Sequence, residues 1–186
     1  MKGLLKALDF SHGIIKGAVQ DGDSVIDATA GNGHDTLFLA RLVGEKGKVY
    51  SFDIQKEAIE NTRKRLEEED CLDQVQLIQD GHENLKAYVS ENIAGVMFNL
   101  GYLPGSNHRV ITRPENTLIA LESSLELLIP GGLATLVVYT AHPGGVEEGT
   151  ELEKYAKKLD PGIFNVLLYR FINREKAPFL IALEKK

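Results

Sequence analysis

The chain has 186 residues, of which 43% are hydrophobic and 26% charged, a composition ordinary for a globular protein with one sizeable core. Its net charge of −6 argues against a protein that coats nucleic acid nonspecifically, because phosphate contacts dominate such binding. The single cysteine, Cys71, excludes an internal disulfide and a cysteine-built zinc site, and no apolar run approaches the roughly 20 residues that span a bilayer. We therefore expect one cytoplasmic domain over residues 1–186, with no membrane partner.

Strand and helix patterns alternate along the chain. After an amphipathic N-terminal helix, the pattern predicts, in chain order, strand 24–28, helix 35–42, strand 48–53, helix 56–69, strand 75–79, helix 82–90, strand 95–100, helix 116–128, strand 133–140, helix 147–159, and strands 164–171 and 178–184. The segment I-P-G-G predicts a helix end and a turn before the fifth strand. This alternation indicates an α/β protein with a mostly parallel sheet and helices on both faces. The short loop between the last two strands permits only a hairpin, so one strand near the end is expected to be antiparallel.

A glycine loop follows the first predicted strand, in V-I-D-A-T-A-G-N-G-H-D-T. Gly31 and Gly33 allow tight turns and a close approach of the backbone to a ligand, and Asp35 or Thr36 is expected to cap the next helix. No G-K-[S/T] follows, which excludes the phosphate loop of nucleotide hydrolases, and Thr36 stands where a dinucleotide fold has its third glycine. The loop alone leaves an S-adenosyl cofactor, a dinucleotide, a bare phosphate or a purely structural turn open.

Three predicted strands are each followed or ended by an aspartate. Asp53, at the end of the second strand, is placed to accept the hydroxyls of a ribose, or else to cap the next helix. Asp80, at the end of the third strand, could accept from an adenine amino group, and Asp27 stands beside the glycines. An anionic rim attracts a ligand with a sulfonium and an ammonium and repels a pyrophosphate. The charges therefore favour S-adenosylmethionine over NAD.

These residues resemble the class I S-adenosylmethionine-dependent methyltransferases. More narrowly, the motifs D-A-T-A-G-N-G-H-D-T, F-D-I-Q, D-G-H-E-N and F-N-L-G-Y-L-P are similar to a small bacterial family labelled "putative rRNA methylases". The resemblance runs from about Ser11 to the final I-A-L-E-K-K. It implies a Rossmann-like, doubly wound, seven-stranded sheet with its last strand antiparallel. It also implies methylation of the aminomethyl nitrogen of 5-aminomethyl-2-thiouridine at the wobble position of tRNA.

The segment N-L-G-Y-L-P resembles the N-P-P-Y/F loop of enzymes that methylate exocyclic amines. The resemblance implies that Asn99 and the carbonyl of Leu100 hold the hydrogens of the amine, so that its lone pair faces the methyl group. Tyr102 could stack on a base, a contact worth roughly 1–3 kcal/mol. Both prolines of the family pattern are absent, with Leu100 and Gly101 in their places, which leaves the path of the loop open.

An aliphatic amine must be neutral to attack, so a proton acceptor is expected beside it. His142, after the fifth strand, and His108 are the candidates, and either could instead contact phosphate. Tyr139 is expected to line the pocket or to belong to the core. Arg109 and Arg113 lie in a stretch with almost no acids and are the candidates for phosphates of the tRNA anticodon stem-loop.

The predicted site consists of three overlapping groups of residues, and no metal is expected. Asn99, Tyr102 and His142 are the predicted catalytic residues. The predicted cofactor-binding residues are Asp27, Gly31, Asn32, Gly33, Asp35, Thr36, Asp53, Gln55, Asp80, Gly81, His82, Asn99, Leu100 and Gly101. The predicted substrate-binding residues are Tyr102, His108, Arg109, Arg113, Tyr139 and His142.

The sequence is also compatible with other functions. The acidic net charge favours a small-molecule amine as the methyl acceptor, and rRNA is a further acceptor. A module that only senses the cofactor would bind it without turnover. An NAD oxidoreductase is disfavoured by the missing third glycine. We expect S-adenosylmethionine as the cofactor, tRNA and not DNA as the partner, and a homodimer that shares substrate contacts.

Overall fold

The computed structural model describes residues 3–101, 112–141 and 143–186. The strands are β1 (Ser24–Asp27), β2 (Lys48–Phe52), β3 (Val75–Ile78), β4 (Ile93–Leu100), β5 (Leu128–Val138), β6 (Phe164–Tyr169) and β7 (Phe179–Lys185). The α-helices are α1 (Ala7–Ala18), α2 (His34–Val43), α3 (Lys56–Glu68), α4 (Pro114–Leu127) and α5 (Gly145–Ala156), and His82–Ala87 forms a 3-10 helix. None of the helices in these described ranges has the length and apolar character needed to cross a membrane.

The seven strands form a single sheet in the order β3-β2-β1-β4-β5-β7-β6. The pairs from β3 to β5 are parallel, and β7 runs antiparallel to both β5 and β6. The predicted Rossmann-like, doubly wound sheet with an antiparallel last strand is therefore confirmed. The strand order reverses between β1 and β4, and ligands of open α/β sheets bind beyond the strand ends at such a reversal.

Helices cover both faces of the sheet because successive strand residues point to opposite sides. On β1, Val25 packs in the core cluster that includes α1, α2 and α3, whereas Ile26 packs in the cluster with α4, α5 and the 3-10 helix. Both side chains are fully enclosed. Burial on both faces explains the near-continuous apolar runs of the parallel strands.

The fifth strand begins earlier than the sequence predicts. The helix α4 ends at Leu127, shortly before I-P-G-G, but the I-P-G-G residues lie inside β5 rather than before it. Leu128 pairs with Ile93 and Leu133 with Gly95, so the extra residues of β5 bulge between two paired positions. Gly131 has φ of +81°, a conformation that glycine adopts at little cost. The turn signal therefore marks a bulge within the strand.

Cys71 lies deeper than the sequence suggests. Its acidic neighbours indicate a surface or half-buried thiol, but the residue is buried in the cluster beneath α2 and α3. The loop after α3 turns inward there, because the Cys71 amide donates to the carbonyl of Leu66 at 2.9 Å.

Candidate active site

A cavity of about 700 Å³ opens at the carboxyl edge of the sheet. The loops that follow β1 to β5 all contribute to its lining, with Gly31, Asp53, Asp80, Asn99 and Tyr139 among the lining residues. The cavity therefore lies where the strand order reverses, as expected for a ligand site in this architecture.

The two glycines of the loop after β1 have different roles. Gly31 has φ of +54° and lines the cavity. Gly33 has φ of +77°, and a Cβ atom there would lie 2.8 Å from the Cα atom of Thr62 on α3. Gly33 is thus required by the close approach of α3, whereas Gly31 has a positive φ and lies in the cavity lining.

The predicted helix caps are wrong. The helix α2 begins at His34, and its N-cap is Gly33 in the left-handed conformation, without a side-chain cap. Asp35 and Thr36 lie in the first turn instead, and both are buried. Their side chains bond to groups on the strands β1 and β4 and on the helix α1, which the sequence spacing does not reveal.

Asp27 lies beneath the cavity and is fully enclosed. It accepts hydrogen bonds from the Thr36 hydroxyl at 2.5 Å and from the Thr29 amide at 3.0 Å. Burial, together with the nearby Asp35 carboxylate, raises the pKa of Asp27 to about 7. Its two bonds join the loop after β1 to the first turn of α2.

Asp53 ties the glycine loop to the end of β2. Its Oδ2 atom accepts from the Gly31 amide at 3.0 Å, and its Oδ1 atom accepts from the Gln55 amide at 2.9 Å. Gln55 is the N-cap of α3, so Asp53 also bonds at the helix start. Burial raises the pKa of Asp53, partly opposed by these two amide bonds. Each carboxylate oxygen keeps a second lone pair for a ligand in the cavity.

Asp80 lies at the rim of the cavity. Its carboxylate accepts from the hydroxyl of Tyr88 at 2.7 Å, the amide of Gly81 at 2.7 Å and the side chain of Asn84 at 2.9 Å. These bonds, with the Tyr88 hydroxyl contributing most, lower the pKa of Asp80. Asp80 is therefore a fixed negative charge at the end of β3.

His82 presents a buried acceptor beside the cavity. Its Nδ1 atom lies 3.0 Å from the carbonyl oxygen of Ala28, which can only accept, so Nδ1 carries the proton. Burial lowers the pKa of His82, which keeps the ring neutral. Its Nε2 atom is enclosed without a hydrogen-bond partner among the described residues. An unpaired buried acceptor in a cavity lining calls for a donor from a ligand.

These groups fit the expected S-adenosylmethionine. Carboxylates at Asp53 and Asp80 accept from hydroxyl and amino groups and provide negative charge for a cationic ligand. The free lone pair of His82 adds one more acceptor, and Gly31 lies in the cavity lining. No group of three or more His, Cys, Asp or Glu residues in the described ranges is arranged to hold a metal ion.

Two hydrogen bonds hold Asn99 near the carboxyl end of β4. Its backbone amide donates to the Thr29 hydroxyl at 2.8 Å, and its side-chain Nδ2 donates to Asp35 at 3.1 Å. The second bond commits the nitrogen of the side-chain amide and leaves its Oδ1 atom as the free acceptor in the described part of the site. This is the orientation that an acceptor of amine hydrogens needs.

His12, on α1, also contacts Asp35, and the sequence did not predict this contact. The His12 Nε2 atom lies 2.7 Å from Asp35 Oδ1, and the imidazole stacks on Phe38 at 4.2 Å between ring centres. The two residues are far apart along the chain and form no motif. A histidine on the packed face of an N-terminal helix was the only available signal.

Hydrogen bonds connect the end of β4 with the starts of α4 and α5. The Thr112 amide donates to the Gly101 carbonyl at 3.2 Å, so the last described residue after β4 contacts the first described residue before α4. The carboxylate of Glu148, on α5, accepts from the hydroxyls of Thr112 and Thr117 at 2.7 Å each. Glu148 therefore connects the start of α4 to the start of α5.

Most of the predicted site residues meet at this cavity. Those that line it are Gly31, Asn32, Asp35, Asp53, Gln55, Asp80, Gly81, His82, Asn99, Leu100, Gly101, Arg113 and Tyr139. Asp27, Gly33 and Thr36 lie beneath the lining. Tyr102, His108, Arg109 and His142 lie outside the described residues.

The chain is similar to several known proteins. The family described as "Putative rRNA methylase" matches residues 49–184 of this chain. A protein of Arabidopsis thaliana, named tRNA (mnm(5)s(2)U34)-methyltransferase, chloroplastic, is 40% identical over 197 aligned residues, which cover 99% of this chain and 71% of the plant protein.

Two solved structures are similar over almost the whole chain. One, from Clostridium thermocellum and described as a putative rRNA-methylase, is 45% identical with a TM-score of 0.97, covering 99% of this chain and 100% of that one. The other, from Streptococcus mutans and described as a putative methyltransferase in complex with SAH, is 39% identical with a TM-score of 0.91, at the same coverage of 99% and 100%.

Proposed function

The chain belongs to the family described as "Putative rRNA methylase", and we propose that it methylates the aminomethyl nitrogen of 5-aminomethyl-2-thiouridine at the wobble position of tRNA. The predicted identification as an S-adenosylmethionine-dependent methyltransferase is confirmed. The observation that carries the finer proposal is the similarity, over nearly the full chain, to a plant enzyme whose name specifies tRNA and the nucleoside mnm5s2U34.

Acidic and neutral acceptors of the cavity hold the cofactor in this proposal. When bound, S-adenosylmethionine supplies an electrophilic methyl group carried on a positive sulfonium. Asp53 accepts the ribose hydroxyls with the lone pairs that Gly31 and Gln55 leave free. Asp80 and the neutral ring of His82 accept from the adenine end, and the negative charge of the rim favours the cationic ligand.

Asn99 positions the acceptor nitrogen in this proposal. Because its side-chain nitrogen is bound to Asp35, its Oδ1 atom faces the acceptor and holds one hydrogen of the amine. Alignment of donor and acceptor is the main contribution that a protein makes to an in-line displacement, and it can supply about 7–11 kcal/mol. Tyr102 is proposed to stack on the base, and either His108 or His142 to contact the RNA.

The anticodon stem-loop is the proposed RNA partner, bound through its phosphates. Arg113 lies at the edge of the cavity immediately before α4, and Arg109 precedes it in the same segment. We expect Arg109→Ala and Arg113→Ala to weaken tRNA binding and to reduce its salt dependence, because each removes one phosphate contact. Fluorescence anisotropy across a salt series measures both effects. Arg63→Ala on the exposed face of α3 is the matched control, and an equal loss there would contradict the assignment.

The direct test uses purified protein, labelled S-adenosylmethionine and tRNA from cells that lack this methylation. Mass spectrometry of the digested nucleosides is expected to show 5-aminomethyl-2-thiouridine converted to its N-methyl form. Asn99→Ala is expected to lose this conversion while still binding cofactor, which separates an enzyme from a cofactor sensor.

The family description favours rRNA as a second acceptor. Ribosomal subunits and a pool of small amines therefore form two further arms of the same assay. Label that enters rRNA or the metabolites, and leaves the wobble uridine unchanged, would replace the tRNA proposal.

A further inference from the structure

Asp35, on α2, bonds to one residue of α1 and one residue of β4 beside the cavity. Its Oδ1 atom bonds to His12 from α1, and its Oδ2 atom accepts from Asn99 at the end of β4. The Asp35 side chain is 6% exposed and lines the cavity, whereas the His12 side chain is 29% exposed. A carboxylate with both oxygens anchored has a fixed orientation, and each oxygen keeps one lone pair.

The charges around Asp35 favour a cationic neighbour that can lose a proton. Asp27 from β1 lies close enough for the two carboxyl groups to repel, and this repulsion is the second cause, after burial, of the raised pKa of Asp27. From β5, Tyr139 also faces Asp35, and burial followed by the charge of Asp35 raises the pKa of that phenol. His12 is the one group with a titratable nitrogen bonded to Asp35 among the described residues. An ammonium ion is attracted to such a cluster.

We propose that Asp35 is the catalytic residue that takes the proton from the acceptor ammonium, and that His12 is the positioning residue that holds Asp35 for this step. The inference rests on the proposed function, since it needs an aliphatic amine as the acceptor. An amine of this kind carries a proton at neutral pH, and a protonated nitrogen has no lone pair with which to attack.

The step balances without a further reactant. An N–H bond of the ammonium breaks, an O–H bond forms on Asp35, and the electron pair stays on the nitrogen. Ammonium and carboxylate become a neutral amine and a neutral acid, which a desolvated cavity favours over two charges. The amine then bonds to the methyl carbon as the carbon–sulfur bond breaks. The methylated nitrogen carries the positive charge, and Asp35 returns its proton to water as the product leaves.

The position of Asp35 favours contact with the methyl acceptor over contact with the cofactor. Its position after the glycine loop predicts that Asp35 contacts the cofactor. Its bond to Asn99, the residue proposed to hold the amine, places the carboxylate beside the acceptor instead. His12 reaches the site from a helix that follows no cofactor-binding strand.

The test compares Asp35→Asn, His12→Ala and His12→Gln in single-turnover methylation of aminomethyl-bearing tRNA from about pH 6 to 9. At neutral pH we expect Asp35→Asn to lose about 10²–10⁴-fold in rate, the usual contribution of a positioned proton acceptor. Its rate should rise by about tenfold per pH unit, because only amine already neutral in solution reacts. His12→Ala should lose less, and His12→Gln should recover rate because its amide can still donate to Asp35. Asp9→Asn, an exposed carboxyl on α1, is the control.

Binding supplies a readout that does not depend on turnover. Wild-type protein is expected to prefer aminomethyl-bearing tRNA over tRNA with unsubstituted 2-thiouridine, and Asp35→Asn should lose about 10-fold or more of that preference. Its affinity for S-adenosylmethionine, measured by calorimetry, should stay within about threefold of wild type.

The possible outcomes separate the Asp35 inference from the proposed function. An Asp35→Asn variant with the wild-type pH profile would overturn the inference and leave the proposed function intact. Cofactor affinity that falls as far as the rate would overturn it as well, since Asp35 would then serve the cofactor. If Asp35→Asn does not fold, equal rates for His12→Ala and wild type at every pH would overturn it. Wild-type protein that leaves this tRNA unmethylated throughout would overturn the proposed function and the inference with it.

Discussion

Asp27 is fully buried, and the pKa of its carboxyl group lies near neutral pH. The pKa of Asp27 rises from an ordinary value of 3.8 to about 7, with burial as the main cause and the charge of Asp35 as the second. The folded state therefore binds this proton more tightly than the unfolded state does. The stabilising contribution is complete below the ordinary pKa and is lost as the pH rises through about 7.

Replacing Asp27 with asparagine should remove this pH dependence. Between about pH 4 and pH 8, wild-type protein should lose up to about 4 kcal/mol of unfolding free energy relative to Asp27→Asn, since each pKa unit corresponds to about 1.4 kcal/mol. Urea unfolding of both proteins without cofactor, at several pH values, measures the difference. Parallel curves for the two proteins would show that Asp27 does not titrate in this range.

Asp53 should be the carboxylate on which cofactor affinity depends most. It both orders Gly31 and faces the cavity, whereas the bonds of Asp80 are to residues that follow it closely along the chain. Asp53→Asn removes a charged acceptor, so we expect the dissociation constant for S-adenosylmethionine to rise by about 10–100-fold. Calorimetric titration measures it, with Asp80→Asn as the comparison. A smaller effect at Asp53 than at Asp80 would reverse the assignment of the ribose.

The sequence predicts the role of a residue where its place at the end of a strand determines that role. Asp53 and Asp80 were identified because the ends of parallel strands meet at one edge of the sheet. The direction of each side chain was not predictable: Thr36 bonds to Asp27 rather than capping α2, and His12 contacts Asp35 from a distant helix. Such pairs depend on how helices pack on the sheet, and no local pattern in one sequence records that packing.

At the scale of elements, Glu148 holds together the two helices that follow the acceptor loops. It is 1% exposed, and its carboxylate accepts from one hydroxyl just before α4 and from another within it. The same carboxylate holds Thr112, which directly follows the segment 102–111, where the sequence predicts substrate contacts by Tyr102, His108 and Arg109. Glu148 lies outside the cavity lining, so its effect on binding must pass through this connection.

Glu148→Ala should affect tRNA more than cofactor. The substitution leaves the Thr112 hydroxyl without its acceptor, at a cost of about 1–3 kcal/mol in unfolding free energy. The Thr117 hydroxyl keeps the Arg113 carbonyl as an acceptor at 3.1 Å. We expect the KM for tRNA to rise while the dissociation constant for S-adenosylmethionine stays near wild type. Glu148→Gln keeps one acceptor oxygen and should fall between the two proteins. Equal losses in cofactor and tRNA binding would mean that Glu148 stabilises the whole site instead.

The type and order of the elements followed from the sequence, but some boundaries did not. Alternating apolar runs and helix patterns predicted every strand of the sheet. The glycines of I-P-G-G indicated a turn, and the structure uses the same conformational freedom for a bulge inside β5. A turn and a bulge need the same residues, so only the partner strand β4 distinguishes them.

At the scale of the whole molecule, β6 is an edge strand that the rest of the described chain leaves unpaired on one side. Its sequence F-N-V-L-L-Y carries no charge, and Val166, Leu167 and Leu168 are 42%, 46% and 42% exposed. Long apolar edges invite pairing with another strand, and proteins commonly protect them with charged residues. Two copies of an uncharged strand can pair antiparallel about a two-fold axis, so β6 is the surface we propose for the homodimer.

Leu167→Lys should convert such a dimer into a monomer. The substitution places a charge in the middle of β6, where a second strand would have to desolvate it, and it leaves the distant cavity unchanged. Size-exclusion chromatography with light scattering is expected to give twice the chain mass for wild type and a single chain mass for the variant. Ile119→Lys, at a 50% exposed apolar residue on α4, is the matched control and should remain dimeric. If wild type is monomeric at micromolar concentration, the edge strand is not a dimer interface. If Leu167→Lys also retains full methylation, substrate contacts are not shared between subunits.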